Sequence, residues 1–213
     1  KHDVRFMAND DVALPTSLVG KKIAPIFEVE GREPFAESLD IVRYVDADPR
    51  FGPTGYFREA TERPDLKAWE KSVQTALRLL QRPRYVKTYL PEFAFQAAKD
   101  AFVKNHQLPP YEKADWKSDQ FDMSTRWYFY DRALQDTPTL VAQVNDKLKE
   151  LEDMIHCPAC ATEGGVSLDD ISLWSRLRSL TLVKGIVYPP KVRAYLDTFA
   201  EAGDVPLYDA IAL

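Results

Sequence analysis

Two places in this sequence hold residues whose types and spacing suit chemistry. The first is Cys157-Pro158-Ala159-Cys160, the only Cys-x-x-Cys and the whole of the cysteine content. Thiols three positions apart can exchange a disulfide or supply half of a zinc site. A redox pair works best at a helix N-terminus, where the dipole lowers the thiol pKa. Here a helical pattern precedes the pair and the loop Ala161-Thr162-Glu163-Gly164-Gly165 follows, so the dipole is expected to raise it. His156 is adjacent, but further metal ligands would have to come from His2, His106 or distant carboxylates, and no metal is expected. An incidental loop pair or local disulfide is the first reading of Cys157 and Cys160, a secondary redox or regulatory pair the second, and a metal site the last.

The second place is Ala24-Pro25 followed by Glu37-Ser38. Pro25 cannot donate to a sheet ladder, so at a strand start it marks an edge or supports a cis bond that turns a backbone group outward. The backbone at Ala24 could then pair with an extended peptide. Glu37 and Ser38 fall at the first turn of a helix, where free N–H groups and the positive end of the dipole favour a carboxylate ligand. Taken singly, a proline before a strand is usually an edge device and a serine at a helix start usually a cap.

The elements that must position these residues can be read from periodicity. Residues 22–29 are a short, largely apolar run, Glu30-Gly31-Arg32 is a turn, and Leu39, Ile41, Val42 and Val45 fall near one face of a helix beginning at Ser38. Upstream, Val4-Arg5-Phe6-Met7 reads as a short strand, and residues 15–20 as a helical turn closed by Gly20. Residues 48–55, dense in Pro and Gly, close the first domain. Beyond Arg63 the pattern is helical throughout. Helices are expected from Pro64 to Pro83, from 92 to 106, from 115 to 135, from Pro138 to about 155, from Ser167 through Leu182, and from Pro190 to 202. Ser167-Leu168-Asp169-Asp170 has the form of a capping box with Asp in place of Glu. The aromatic group within 115–135 is expected to be interhelical core.

Three separated segments carry a resemblance: Val19-Gly20-Lys21-Lys22-Ile23-Ala24-Pro25-Ile26, residues 37–46, and residues 177–186. They are similar, in order, to the bacterial glutaredoxin 2 family, two-domain glutaredoxins shaped like glutathione transferases. The resemblance runs from Val4 to the end and is weakest between residues 104 and 136. It implies an α/β plus all-α fold: a thioredoxin-like domain over residues 1–52, a linker over 53–63 and an all-helical, glutathione-transferase-like domain over 64–213. It also implies a glutathione-binding site at Ala24, Pro25, Glu37 and Ser38. The family's Cys-x-x-Cys nucleophile sits in a first strand–helix connection, which would occupy about 25 residues. The chain is expected to lack that unit, so that the nucleophile lies before Lys1 and the catalytic residues are not among those given.

The implied function is glutathione-dependent thiol–disulfide exchange on glutathionylated or disulfide-containing proteins, with glutathione as co-substrate. Glutathione conjugation is the alternative enzyme reading, and a redox-inactive binding or scaffold protein is the third. Composition bears on partners and compartment. With 213 residues, 45% hydrophobic, 29% charged and a net charge of −5, the chain reads as an ordinary globular protein without a nucleic-acid or anionic-membrane surface. It has no run of eighteen apolar residues and no secretory leader pattern, and two cysteines do not make a disulfide framework, so a cytoplasmic, monomeric protein is expected.

Overall fold

The computed structural model describes residues 2–213. Helix α1 (Ala13–Val19) ends at Gly20, which takes the left-handed conformation and donates its amide to Thr16 O. Pro25 leads into β1 (Ile26–Val29), and Gly31, at φ +81°, makes the turn to β2 (Arg32–Ala36), a backbone geometry that suits a residue without Cβ. The strands pair antiparallel with Ile26 opposite Ala36 and Phe27 opposite Phe35, and the register shifts before Val29 meets Arg32. Helix α2 (Ser38–Ala47) follows directly. Phe27, Phe35, Tyr44 and Phe51 meet edge to face or tilted at 5.3–6.1 Å, and the Arg32 guanidinium lies 4.1 Å from the Phe35 ring centroid. This aromatic group holds sheet and helix together. Residues 4–7 are not a strand: Val4 and Phe6 are exposed, and the segment meets no partner edge among the described residues.

The second half is helical. Helix α3 (Pro64–Lys87) buries Leu66, Trp69, Val73, Leu77 and Leu80 along one side. It does not stop at Pro83, as periodicity alone suggests. Pro83 removes one helical N–H, but the last turn is held by the Arg84 guanidinium on Leu80 O at 2.7 Å and by the Thr88 amide and hydroxyl on Arg84 O. Helix α4 (Gln96–Asn105) is shorter than expected because residues 91–93 form a separate 3₁₀ turn. Helix α5 (Met123–Gln135) starts eight positions later than the sequence suggests, at a cap where Asp122 accepts the Thr125 amide. The residues before it cannot join the helix, since the carbonyls of Trp116, Ser118 and Phe121 are taken by the Arg126 guanidinium.

Helices α6 (Thr137–Met154), α7 (Leu168–Leu180) and α8 (Pro190–Gly203) complete the bundle. Leu80, Val144, Leu148, Leu177, Val192 and Tyr195 form its main core. Around α3, α4 and α5 a second core includes Trp116 and Tyr130, both fully buried, so these expected interhelical aromatics are core; Tyr128 faces solvent. Residues 56–63 form a strap across the N-terminus of α7. The Arg58 amide donates to Val166 O, the Leu168 amide to Arg58 O, and the Thr61 amide and hydroxyl to Asp169 Oδ2 at 2.8 and 2.7 Å. At its other end, the Asp46 carboxylate of α2 accepts the amides of Tyr56 and Phe57.

Candidate functional site

Register brings the first candidate site together. Ile26 stands opposite Ala36, so the ladder ends with Pro25 leading into one strand and Glu37 following the other. The Ala24–Pro25 bond is cis. Glu37, at φ +83° and ψ 114°, is a non-glycine residue in a sparsely populated region, a conformation that costs on the order of 1–3 kcal/mol and is concentrated at functional sites.

Glu37 is also the residue that caps α2, and its side chain makes no capping hydrogen bond. The Ile41 amide is the one that bonds back to Glu37 O, leaving the amides of residues 38–40 directed out of the helix end. Glu37 turns instead to Lys21, whose Nζ lies 3.4 Å from Oε1, with both side chains more than half exposed. Ser38 is exposed at the same end. The arrangement offers a cis peptide at Ala24–Pro25 ahead of β1 and, directly after β2, a helix N-terminus that can take an anion. Lys21 was not singled out by the sequence; its only signal was a positive charge shortly before the proline. A cleft of about 290 Å³ along α2, lined by Ile41, Val42, Val45, Phe51 and Phe57, includes none of these residues and is almost wholly apolar.

Cys157 and Cys160 lie elsewhere, in a tight turn after α6. Each donates its amide to the other's carbonyl, at 3.0 and 3.1 Å, and the two free thiols are 3.4 Å apart. Cys160 is buried and Cys157 partly exposed. The turn is anchored at both ends. The His156 amide donates to Ala161 O, the Ala161 amide to Asp170 Oδ1 at 2.6 Å, and Arg63 Nη1 to both Met154 O and Ala161 O.

The expectation that the end of α6 raises both thiols needs correction. Cys160 is pushed up to about 11, by burial first and by the neighbouring Cys157 second. Burial also acts to raise Cys157, but its hydrogen bond with the Cys160 thiol and the amides of Ala159 and Cys160 outweigh it, and the Cys157 thiol is lowered. Hydrogen bonds that reach the Cys157 sulfur, the Cys160 thiol first and the two amides after it, favour its thiolate. Among the described residues no group of three or more His, Cys, Asp or Glu side chains is arranged to hold a metal ion. Asp170, legible in the sequence only as a capping residue, is fully buried and accepts from Ser167 N, Ala161 N and Tyr195 OH.

A strand–turn–strand–helix unit entered through a cis proline and followed by an uncapped helix start, joined to an all-helical bundle, defines a protein with a thioredoxin-like first half and a glutathione-transferase-like second half. Comparison with known proteins gives the same architecture a family. Residues 65–212 match "Glutaredoxin 2, C terminal domain". Glutaredoxin 2 of Escherichia coli strain K12 is 31% identical over 212 residues, spanning 99% of this chain and 88% of that one, as is the protein of the same name from Escherichia coli O157:H7. A crystal structure of glutaredoxin 2 from Salmonella typhimurium in complex with glutathione superposes with a TM-score of 0.78 at 30% identity, covering 97% of this chain and 85% of that one. The chain belongs to the glutaredoxin 2 family. No helix among its described residues is long and apolar enough to cross a membrane.

Proposed function

We propose that the protein is a glutathione-dependent thiol–disulfide oxidoreductase whose glutathione cradle is formed by Ala24, Pro25, Glu37 and Ser38. The observation that supports this reading is the cis Ala24–Pro25 bond leading into β1, whose Ile26 pairs with Ala36, the residue ahead of the uncapped start of α2 at Glu37. In this reading the cysteinyl part of the tripeptide pairs with the backbone at Ala24, and the γ-glutamyl carboxylate is held by the amides and hydroxyl at Glu37–Ser38, where the helix dipole adds to the attraction. Family membership and the glutathione complex of the Salmonella relative support it.

The chemistry is exchange through a mixed disulfide. A low-pKa thiolate attacks the glutathione-bearing disulfide of a substrate protein and releases that protein's thiolate. A second glutathione thiolate then attacks the enzyme–glutathione disulfide, freeing the enzyme thiolate and forming glutathione disulfide. Substrates are glutathionylated or disulfide-containing proteins, and the enzyme acts as a monomer in the cytoplasm. The deciding measurement is calorimetric titration with reduced glutathione. Ser38→Ala is expected to weaken binding about tenfold, or ~1.4 kcal/mol. Unchanged affinity in that variant and in Lys21→Ala would place the tripeptide somewhere else.

A further inference from the structure

The cysteine turn has features that exchange with a disulfide requires and an incidental loop pair does not. Residues that exchange both backbone hydrogen bonds have Cα atoms about 5.5 Å apart, inside the roughly 4.4–6.8 Å span that a disulfide accepts. The sulfurs already touch at 3.4 Å. The frame around them is fixed by Arg63, Asp170 and the His156–Ala161 bond, so both side chains leave a held backbone. Access is asymmetric, with Cys157 reachable from solvent and Cys160 buried behind it. Acidity follows the same division, Cys157 lowered and Cys160 raised. An exposed thiol that attacks and a shielded thiol that resolves are the two roles of a dithiol centre.

We propose that Cys157 and Cys160 form a second dithiol redox centre, carried by the helical half and separate from the cradle, that a low-molecular-weight disulfide such as glutathione disulfide oxidises to an intramolecular disulfide. The Cys157 thiolate attacks one sulfur of glutathione disulfide, breaking its S–S bond, forming a Cys157–glutathione mixed disulfide and releasing one glutathione thiolate. Cys160 then gives up its proton to solvent or to that thiolate, and its sulfur attacks Sγ of Cys157 and expels the second glutathione thiolate. The protein loses two electrons and two thiol protons, and glutathione disulfide becomes two glutathione molecules.

The test does not depend on the cradle. The protein is equilibrated with graded ratios of glutathione to glutathione disulfide, quenched by alkylation and digested with trypsin, and the peptide spanning residues 150–176, which holds both thiols, is weighed. Wild type is expected to pass from doubly alkylated to the internal disulfide. Cys160→Ser is expected to stop at a glutathione adduct on Cys157, and Cys157→Ser to react at least about tenfold more slowly. Thermal melts establish that the variants fold; if Cys160→Ser does not, Cys160→Ala takes its place, and the wild-type titration decides by itself if neither folds. A pair that stays doubly alkylated at every ratio overturns the proposal, as does faster labelling of Cys160 than of Cys157. So does zinc bound at one ion per two chains that shields both thiols, since the pair would then be half of a shared metal site.

Discussion

At the scale of single residues, burial and hydrogen bonding have moved acidity where the sequence shows only a residue type. His106 stacks on Phe102 with ring centroids 4.1 Å apart and an interplanar angle of 23°, and its Nδ1 lies 3.0 Å from Phe102 O. Burial lowers its pKa from 6.5, more than the hydrogen bond to Phe102 O can restore. Below about pH 6.5 the unfolded chain therefore binds a proton at this position that the folded chain resists, and stability falls as pH falls through that window. Chemical denaturation at about pH 7.5 and about pH 5.5 should show a smaller loss for His106→Gln than for wild type. An equal loss in the two proteins would mean that His106 is already free to protonate in the fold.

At the scale of elements, the N-terminus of α7 was the most legible feature. Ser167 and Asp170 in sequence announced a capping box, and the box is present. Its weight falls mainly on Asp170, whose carboxylate accepts Ser167 N at 2.8 Å and also holds the cysteine turn and Tyr195. Ser167→Ala should cost about 1 kcal/mol by urea denaturation. Asp170→Asn, which leaves several buried donors competing for one oxygen, should cost more, on the order of 3 kcal/mol. Equal losses would make the box the whole of Asp170's contribution.

The remaining helix ends were harder to read, for identifiable reasons. Pro83 looked like a stop because a local rule sees the missing N–H and not Arg84 folded back onto Leu80 O. The start of α5 was misplaced because the aromatic-rich stretch containing Trp116 and Phe121 was read as one helix, while the Arg126 guanidinium that claims carbonyls within it acts through the fold. In the first half, Pro25, Glu37 and Ser38 were legible because they punctuate a strand and a helix. The positive φ of Glu37 and its contact with Lys21 were not, since no residue type encodes either.

At the scale of the molecule, composition and periodicity separated an α/β beginning from a helical remainder, but residues 56–63 read only as a connection. They are a strap tied to α2 through Asp46 and to α7 through Val166, Leu168 and Asp169. Two halves tied in this way should unfold together. Scanning calorimetry is expected to give one heat-absorption peak, and Asp169→Ala, which removes the acceptor of both Thr61 bonds, is expected to broaden or split it. Two peaks in wild type would mean that the strap does not couple them.

The strap also sets what can be exchanged between relatives. The Arg58 amide and carbonyl pair with the backbone on both sides of Ser167, and the Arg63 side chain holds the carbonyls of Met154 and Ala161, so the connection is complementary to a surface formed about a hundred residues downstream. A hybrid that takes its first half from one family member and its helical half from another has to draw residues 56–63 and residues 154–170 from the same parent. A seam ahead of Tyr56, inside what the sequence presents as the linker, keeps those contacts within one parent, provided the other parent supplies Asp46 for the Tyr56 and Phe57 amides and Arg43 for Glu59.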